Sequence, residues 1–235
     1  MATIDDHITM IRTVAKAMGP ELCQDVAFVG GCTTALLLTD LYTKQQVRHT
    51  DDVDLIVHVL SYAYWDQLTE RLREKGFREN MAEDAPICAM FLGSLRVDFM
   101  PDDATILKFG NAWYRDALES AEPHDVGEGT VVKVVRPEHF LATKLAAYLS
   151  RGNNDPLESN DAEDILTLID GRPEITEETL HAAKELRSYI SNQLQALQQH
   201  RDFDYAVATA SNNDTAREQL IHKRIDLIIS FGELA

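Results

Sequence analysis

Apolar residues recur at helical spacing over residues 4–18, where Ile4, Ile8, Ile11, Val14, Ala15 and Met18 predict a helix that stops at Gly19-Pro20. The pattern then changes. "DVAFVGG" reads as a short buried strand ending in a glycine turn, and "CTTALLLTDLY", which carries no breaker, reads as a helix. "DVDLIVHVL" alternates, with Val53, Leu55, Val57 and Val59 facing one way. Residues 61–76 predict a helix capped by Ser61 and ended by Gly76. "PICAMFLGSLRVDFMP" reads as a hairpin turning at Gly93-Ser94. Its second arm puts Leu95, Val97 and Phe99 on one face and Arg96, Asp98 and Met100 on the other. A less regular stretch runs to Gly129, with a short helix around Trp113–Ser120, and "TVVKVV" is a further strand.

From Pro137 the period is helical throughout. "EHFLATKLAAYLS" ends at Arg151-Gly152, "GNNDPLESN" is a polar loop, and "DAEDILTLID" is stopped by Gly171-Arg172-Pro173. "TEETLHAAKELRSYISNQLQALQQH" and "DTAREQLIHKRIDLIISF" read as two helices joined by the turn-rich "ASNND". The expected fold is therefore α/β (α+β), with a mixed sheet flanked by helices over residues 1–136 and a C-terminal helical bundle over 137–235.

Composition narrows the class. With 45% hydrophobic and 26% charged residues the chain is of ordinary globular type. It has no apolar run near the roughly 18 residues a membrane helix needs, so no membrane partner is expected. Its acidic start lacks the layout of a secretion signal. Three cysteines (Cys23, Cys32, Cys88) without a CxxC pattern suit a reducing, cytoplasmic setting. Both halves share the net charge of −17, with 22 Asp+Glu against 12 Lys+Arg in residues 1–135 and 17 against 10 in 136–235. Broad duplex DNA binding, which draws on phosphate contacts, is excluded as an expectation.

The chemistry lies in what shares a parity. Asp52 and Asp54 leave the same face of one strand with Cα atoms roughly 6.6 Å apart, and Asp98 lies on the polar face of another. If those strands are neighbours, three carboxylates converge on a hard cation, Mg²⁺ or Mn²⁺. Gly30-Gly31 before a helix offers close backbone approach and free N–H groups to a phosphate, with Thr33 and Thr34 as hydroxyl donors. Alone, a Gly-Gly turn is ordinarily only a turn, and a DxD strand is ordinarily a solvated face. The joint pattern carries the expectation. Further on, Lys144 and Arg151 lie seven apart on one side of a helix, where they can reach phosphates. Asp161 and Asp164, three apart on the next helix, can fix them by ion pairing, and a salt-bridge cluster on the surface is the bland alternative.

The run Gly30, Gly31, Arg48, Thr50, Asp52, Val53, Asp54, Leu55 resembles the signature of the nucleotidyltransferase superfamily (DNA polymerase β-like fold), in which Asp98 of "LRVDFM" falls at the third carboxylate. "KLAAYLSR" followed by "NDAEDILTL" is similar to motifs of the AbiEii/MenT-like branch, although Asn160 stands where relatives often carry a basic residue. The resemblance spans roughly residues 25–170. It implies an Mg²⁺-dependent enzyme that moves a nucleoside monophosphate from an NTP to an acceptor and releases pyrophosphate. Asp52, Asp54 and Asp98 would serve as catalytic metal ligands, and Gly30, Gly31, Thr33, Thr34, Arg48, Lys144, Arg151, Asp161 and Asp164 as the nucleotide-binding set. The branch is associated with toxin–antitoxin modules and phage defence, which implies tRNA, another RNA or a protein as acceptor and a cognate antitoxin as partner. Two other readings stay open: transfer to a small molecule of aminoglycoside type, and a non-catalytic nucleotide-binding protein with this fold.

Overall fold

The alternating runs pair into one mixed sheet in the computed structural model, which describes residues 4–79, 86–107 and 110–233. Its strands are β1 (Val26–Val29), β2 (Asp52–Val57), β3 (Phe77–Glu79), β4 (Ala89–Leu92), β5 (Leu95–Pro101), β6 (Glu122–Asp125) and β7 (Val131–Val134). Their order is β3-β4-β5-β2-β1-β7-β6. β2–β5 and β1–β7 are parallel, and the remaining neighbours are antiparallel. By internal packing the chain divides into two units. One comprises Met1–Leu36 and Arg48–Arg136, and the other Leu37–Val47 and Pro137–Ala235. The sequence places a boundary at residue 136; nothing in its pattern separates 37–47 from the first unit.

In the first unit, strand parity sets the core. Val53 pairs with Val97 and Leu55 with Phe99 across β2–β5, and all four are 0% exposed. Phe77 meets Phe99 edge-on at 5.6 Å. α1 (Ile4–Cys23) packs on β1, β2 and β7 through Ile11, Val14, Ala15 and Met18. It breaks at Gly19 (φ 79, ψ 167), as the Gly-Pro pair predicts. β6 was not expected, because Glu122-Pro123-His124-Asp125 has no apolar alternation; it lies at the sheet edge, where proline is tolerated.

The helix expected over "CTTALLLTDLY" is not continuous. Gly31–Thr33 form one 3-10 turn, followed by α2 (Thr34–Leu37) and, after a break, α3 (Leu41–Lys44). The cause is tertiary. The N–H groups of Thr39 and Asp40 donate to the Gly171 carbonyl at 3.0 and 2.9 Å instead of continuing a helical ladder. A Cβ on Gly171 would come within 2.8 Å of Thr43 and 2.9 Å of Leu38, so a glycine is needed for that approach. Asp40 then caps α3 by accepting from Thr43 N at 2.8 Å.

The chain continues through α4 (Tyr62–Glu74), whose N-cap is Ser61 as predicted, α5 (Ala104–Leu107) and α6 (Tyr114–Glu119). The second unit adds α7 (Pro137–Arg151), α8 (Asn160–Gly171), α9 (Ile175–His181), α10 (Lys184–Gln198), α11 (Phe203–Ala210) and α12 (Thr215–Ser230). The single helix expected from residue 175 is thus two, because Ala182 and Ala183 turn extended (ψ 159 and 144) between them. α11 is a further helix that the sequence reading did not separate. Among the described residues no helix is long and apolar enough to cross a membrane.

Segment 37–47 is tied into the second unit by charge. Arg217 on α12 donates to Asp170 Oδ2 at 2.7 Å and to Asp40 Oδ1 at 3.0 Å, hydrogen-bonds Thr43 Oγ1, and stacks over Tyr42 at 4.8 Å. Asp170 is buried, so Arg217→Ala leaves a carboxylate without its main counter-charge. We expect a loss of about 3 kcal/mol, measured by urea denaturation. A loss under about 1 kcal/mol would show that the network does not hold this segment.

Candidate functional site

The β2–β5 register brings the acidic residues together. Asp54 and Asp98 are directly opposed across the parallel pair, Asp52 is opposed to Arg96, and all four share the face opposite Val53, Leu55, Val97 and Phe99. One ligand oxygen from each of Asp52, Asp54 and Asp98 lies within 4.8 Å of the others. Like charges at that distance repel by roughly 3 kcal/mol per pair at an effective dielectric of about 20, so the cluster is held against its own field.

Several local features hold it. Val29 of β1 is the antiparallel partner of Asp54, which puts the turn after β1 beside that carboxylate. Gly30 sits at φ 83, ψ −177, backbone that only glycine readily adopts. A Cβ there would overlap Asp54 Oδ2 and come within 2.7 Å of its Cγ. Gly31 makes the same kind of room for Arg48, whose Nη2 would be 2.6 Å from a Cβ. The glycine pair therefore shapes the turn around Asp54 and Arg48. Its expected role as the mouth of a long helix is corrected, because only a 3-10 turn and four helical residues follow, too little for a strong helix dipole. Thr33 secures the turn by donating its hydroxyl to the Gly30 carbonyl at 2.8 Å, while Thr34 Oγ1 is buried without a hydrogen-bond partner. Thr50 donates its hydroxyl to Asp52 Oδ1, and its N–H points to His7 Nε2 of α1 at 3.4 Å.

The sequence reading put Arg96 on the acidic face but gave it no role. Its guanidinium grips Asp98 bidentately, Nε to Oδ1 at 2.9 Å and Nη2 to Oδ2 at 2.7 Å. That hydrogen bonding raises the Arg96 pKa further. Cys88 entered the sequence reading only as one of three cysteines without a CxxC pattern. Burial first, then the charge of Asp98, pushes its thiol up to about 12. The ligand atoms that converge are all carboxylate oxygens, hard donors of the kind that suit Mg²⁺ or Mn²⁺.

In the second unit, Lys144, Arg151, Asp161 and Asp164 do meet, with Lys144, Asp161 and Asp164 buried and Arg151 exposed. Lys144 is 6% exposed, with its ammonium 3.1 Å from Asp161 Oδ1 and 2.6 Å from Asp164 Oδ2. Arg151 donates to Asp161 at 2.8 and 3.0 Å. The ion pairing expected from the spacing of Asp161 and Asp164 is thus present, and it holds Lys144 in a buried position. Burial pushes the Asp161 carboxyl up, but the Arg151 hydrogen bonds and the Lys144 charge outweigh it and hold the pKa below the ordinary value.

Two outcomes follow from these geometries. Gly30→Ala combines backbone strain with a collision and should cost about 2–3 kcal/mol or more. Gly93→Ala, at φ 64 with nothing within 4 Å, should cost only about 1. Equal losses in paired thermal melts would remove the Gly30–Asp54 constraint. Because the folded pKa of Asp161 is depressed, its contribution is complete above the unfolded value of about 3.9 and is lost as pH falls through the folded value. The stability gap between wild type and Asp161→Asn should hold from pH 7 to 5 and narrow below about pH 4. A gap that stays constant to pH 3 contradicts this.

No protein-family model matches the chain, and no curated protein does. Among solved structures it is similar to JHP933 from Helicobacter pylori, at 11% identity and a TM-score of 0.47 over 97% of this chain and 91% of that one.

Proposed function

We propose that the chain is a metal-dependent nucleotidyltransferase that transfers a nucleoside monophosphate from an NTP to a hydroxyl acceptor. The observation that carries this reading is the convergence of Asp52, Asp54 and Asp98 within 4.8 Å on two strands in register, beside a turn whose glycine is required by Asp54 itself. The resemblance over Gly30–Leu55 supports it. Asp52 and Asp54 would hold Mg²⁺ or Mn²⁺, with Asp98 completing a second position. The ion supplies charge neutralisation at the phosphates. Thr50 orients Asp52, and Thr34 has a buried hydroxyl to offer a ligand. The acceptor oxygen attacks the α-phosphorus, the bond to the β-phosphate oxygen breaks, and pyrophosphate departs with its electron pair. Asp98 assists removal of the acceptor proton.

For the acceptor we favour RNA or protein in a toxin-like role with an antitoxin partner, on the branch resemblance. A small cationic acceptor of aminoglycoside type is the second reading, favoured by the net charge of −17. Asp54→Ala should abolish Mn²⁺-dependent binding of a non-hydrolysable NTP in calorimetry. Asp98→Asn should keep most of that affinity and lose transfer of label from NTPs by at least about a hundredfold, assayed on total RNA, total protein and aminoglycosides. Metal-dependent binding unchanged in Asp54→Ala, or full transfer by Asp98→Asn, overturns the site. Tight NTP binding with no acceptor labelled points to the non-catalytic reading.

A further inference from the structure

A cation that uses Asp98 must share this carboxylate with the positive charge of Arg96. Both of its oxygens already accept from the guanidinium, at 2.9 and 2.7 Å. Asp98 is buried, whereas the Arg96 side chain is 42% exposed. The carboxylate is therefore fixed and the guanidinium has room to move. Arg96 is two residues from Asp98 on the same strand face and is the cross-strand partner of Asp52. It thus brings positive charge to the acidic cluster, where it bonds Asp98 and feels the charge of Asp52.

We infer that Arg96 is the built-in counter-ion of this site. It holds Asp98 while no metal is bound, is displaced when a metal–triphosphate complex enters, and then turns its freed guanidinium to the phosphates. The exchange rests on the reading of the acidic cluster as a metal site, and it adds an order to the binding. Free metal meets the positive charge of Arg96 on Asp98 and brings no anion to receive it, so it binds weakly. Metal arriving with a triphosphate brings the anion that the guanidinium needs. A planar fork that is bidentate to a carboxylate is equally suited to phosphate oxygens. Arg96 is then a positioning residue for Asp98 in one state and a substrate contact in the other.

The two roles predict effects of opposite sign. Mn²⁺ binding is measured by electron paramagnetic resonance, alone and with a non-hydrolysable NTP, on wild type, Arg96→Gln and Arg96→Lys. Thermal melts verify that each variant is folded. Arg96→Gln should bind Mn²⁺ alone about tenfold more tightly than wild type, and Mn²⁺ with NTP about tenfold more weakly. Arg96→Lys keeps the charge without the fork and should fall between. If Arg96→Gln weakens both, the residue is a structural support and the exchange is overturned. Unchanged affinities overturn it as well, with the metal site intact. If wild type itself binds neither Mn²⁺ nor Mn²⁺–NTP, the metal-site reading fails and takes the exchange with it.

Discussion

Three carboxylates held within 4.8 Å of one another are the constraint around which the first unit is arranged. Their repulsion must be overcome by structure that does not depend on them. The parallel β2–β5 register provides it, because the same pleat that turns Asp52, Asp54 and Asp98 to one face seals Val53, Leu55, Val97 and Phe99 on the other. A slip of one residue would expose that apolar set. Hydrophobic burial on one side thereby fixes charge placement on the other. Gly30 closes the arrangement, since its missing Cβ is the space Asp54 occupies.

That coupling explains why the site was legible from the sequence. Strand parity is local: Val53-Asp54-Leu55 and Val97-Asp98-Phe99 each announce which side chains share a face. The neighbourhood of β2 and β5 was the single assumption, and the fold meets it. What stayed hidden depends on distant partners. Residues 31–44 have helical composition, yet the Gly171 carbonyl takes the N–H groups of Thr39 and Asp40 and breaks the run. β6 has no apolar residue to mark it. The spacing of Lys144, Asp161 and Asp164 shows that they can pair, but a helix face does not say whether other helices will cover it.

The ionic groups of the two units differ in their balance. In the second unit, Lys144 and Arg151 face Asp161 and Asp164, cation for anion. Arg217 lies between Asp40 and Asp170, and Arg224 donates to the Ile169 and Asp170 carbonyls nearby. Buried charge compensated in this way is the ordinary condition of a stable interior. It locates a helix or a segment.

The cluster on β2 and β5 gathers more carboxylates at one point. Even with Arg48 counted beside Arg96, three carboxylates outnumber two guanidinium groups. Arg96 covers only Asp98 by direct hydrogen bonds, and Thr50 gives Asp52 a hydroxyl rather than a charge. Asp98 is buried and Asp52 and Asp54 are half-buried, so water relieves the excess less than it would on an open strand. The acidic groups stand on a paired strand face, beside a turn where a Cβ on Gly30 would run into Asp54. The surplus is what a divalent cation would neutralise. In the second unit, by contrast, each of Asp161, Asp164 and Asp170 has a cation within salt-bridge distance.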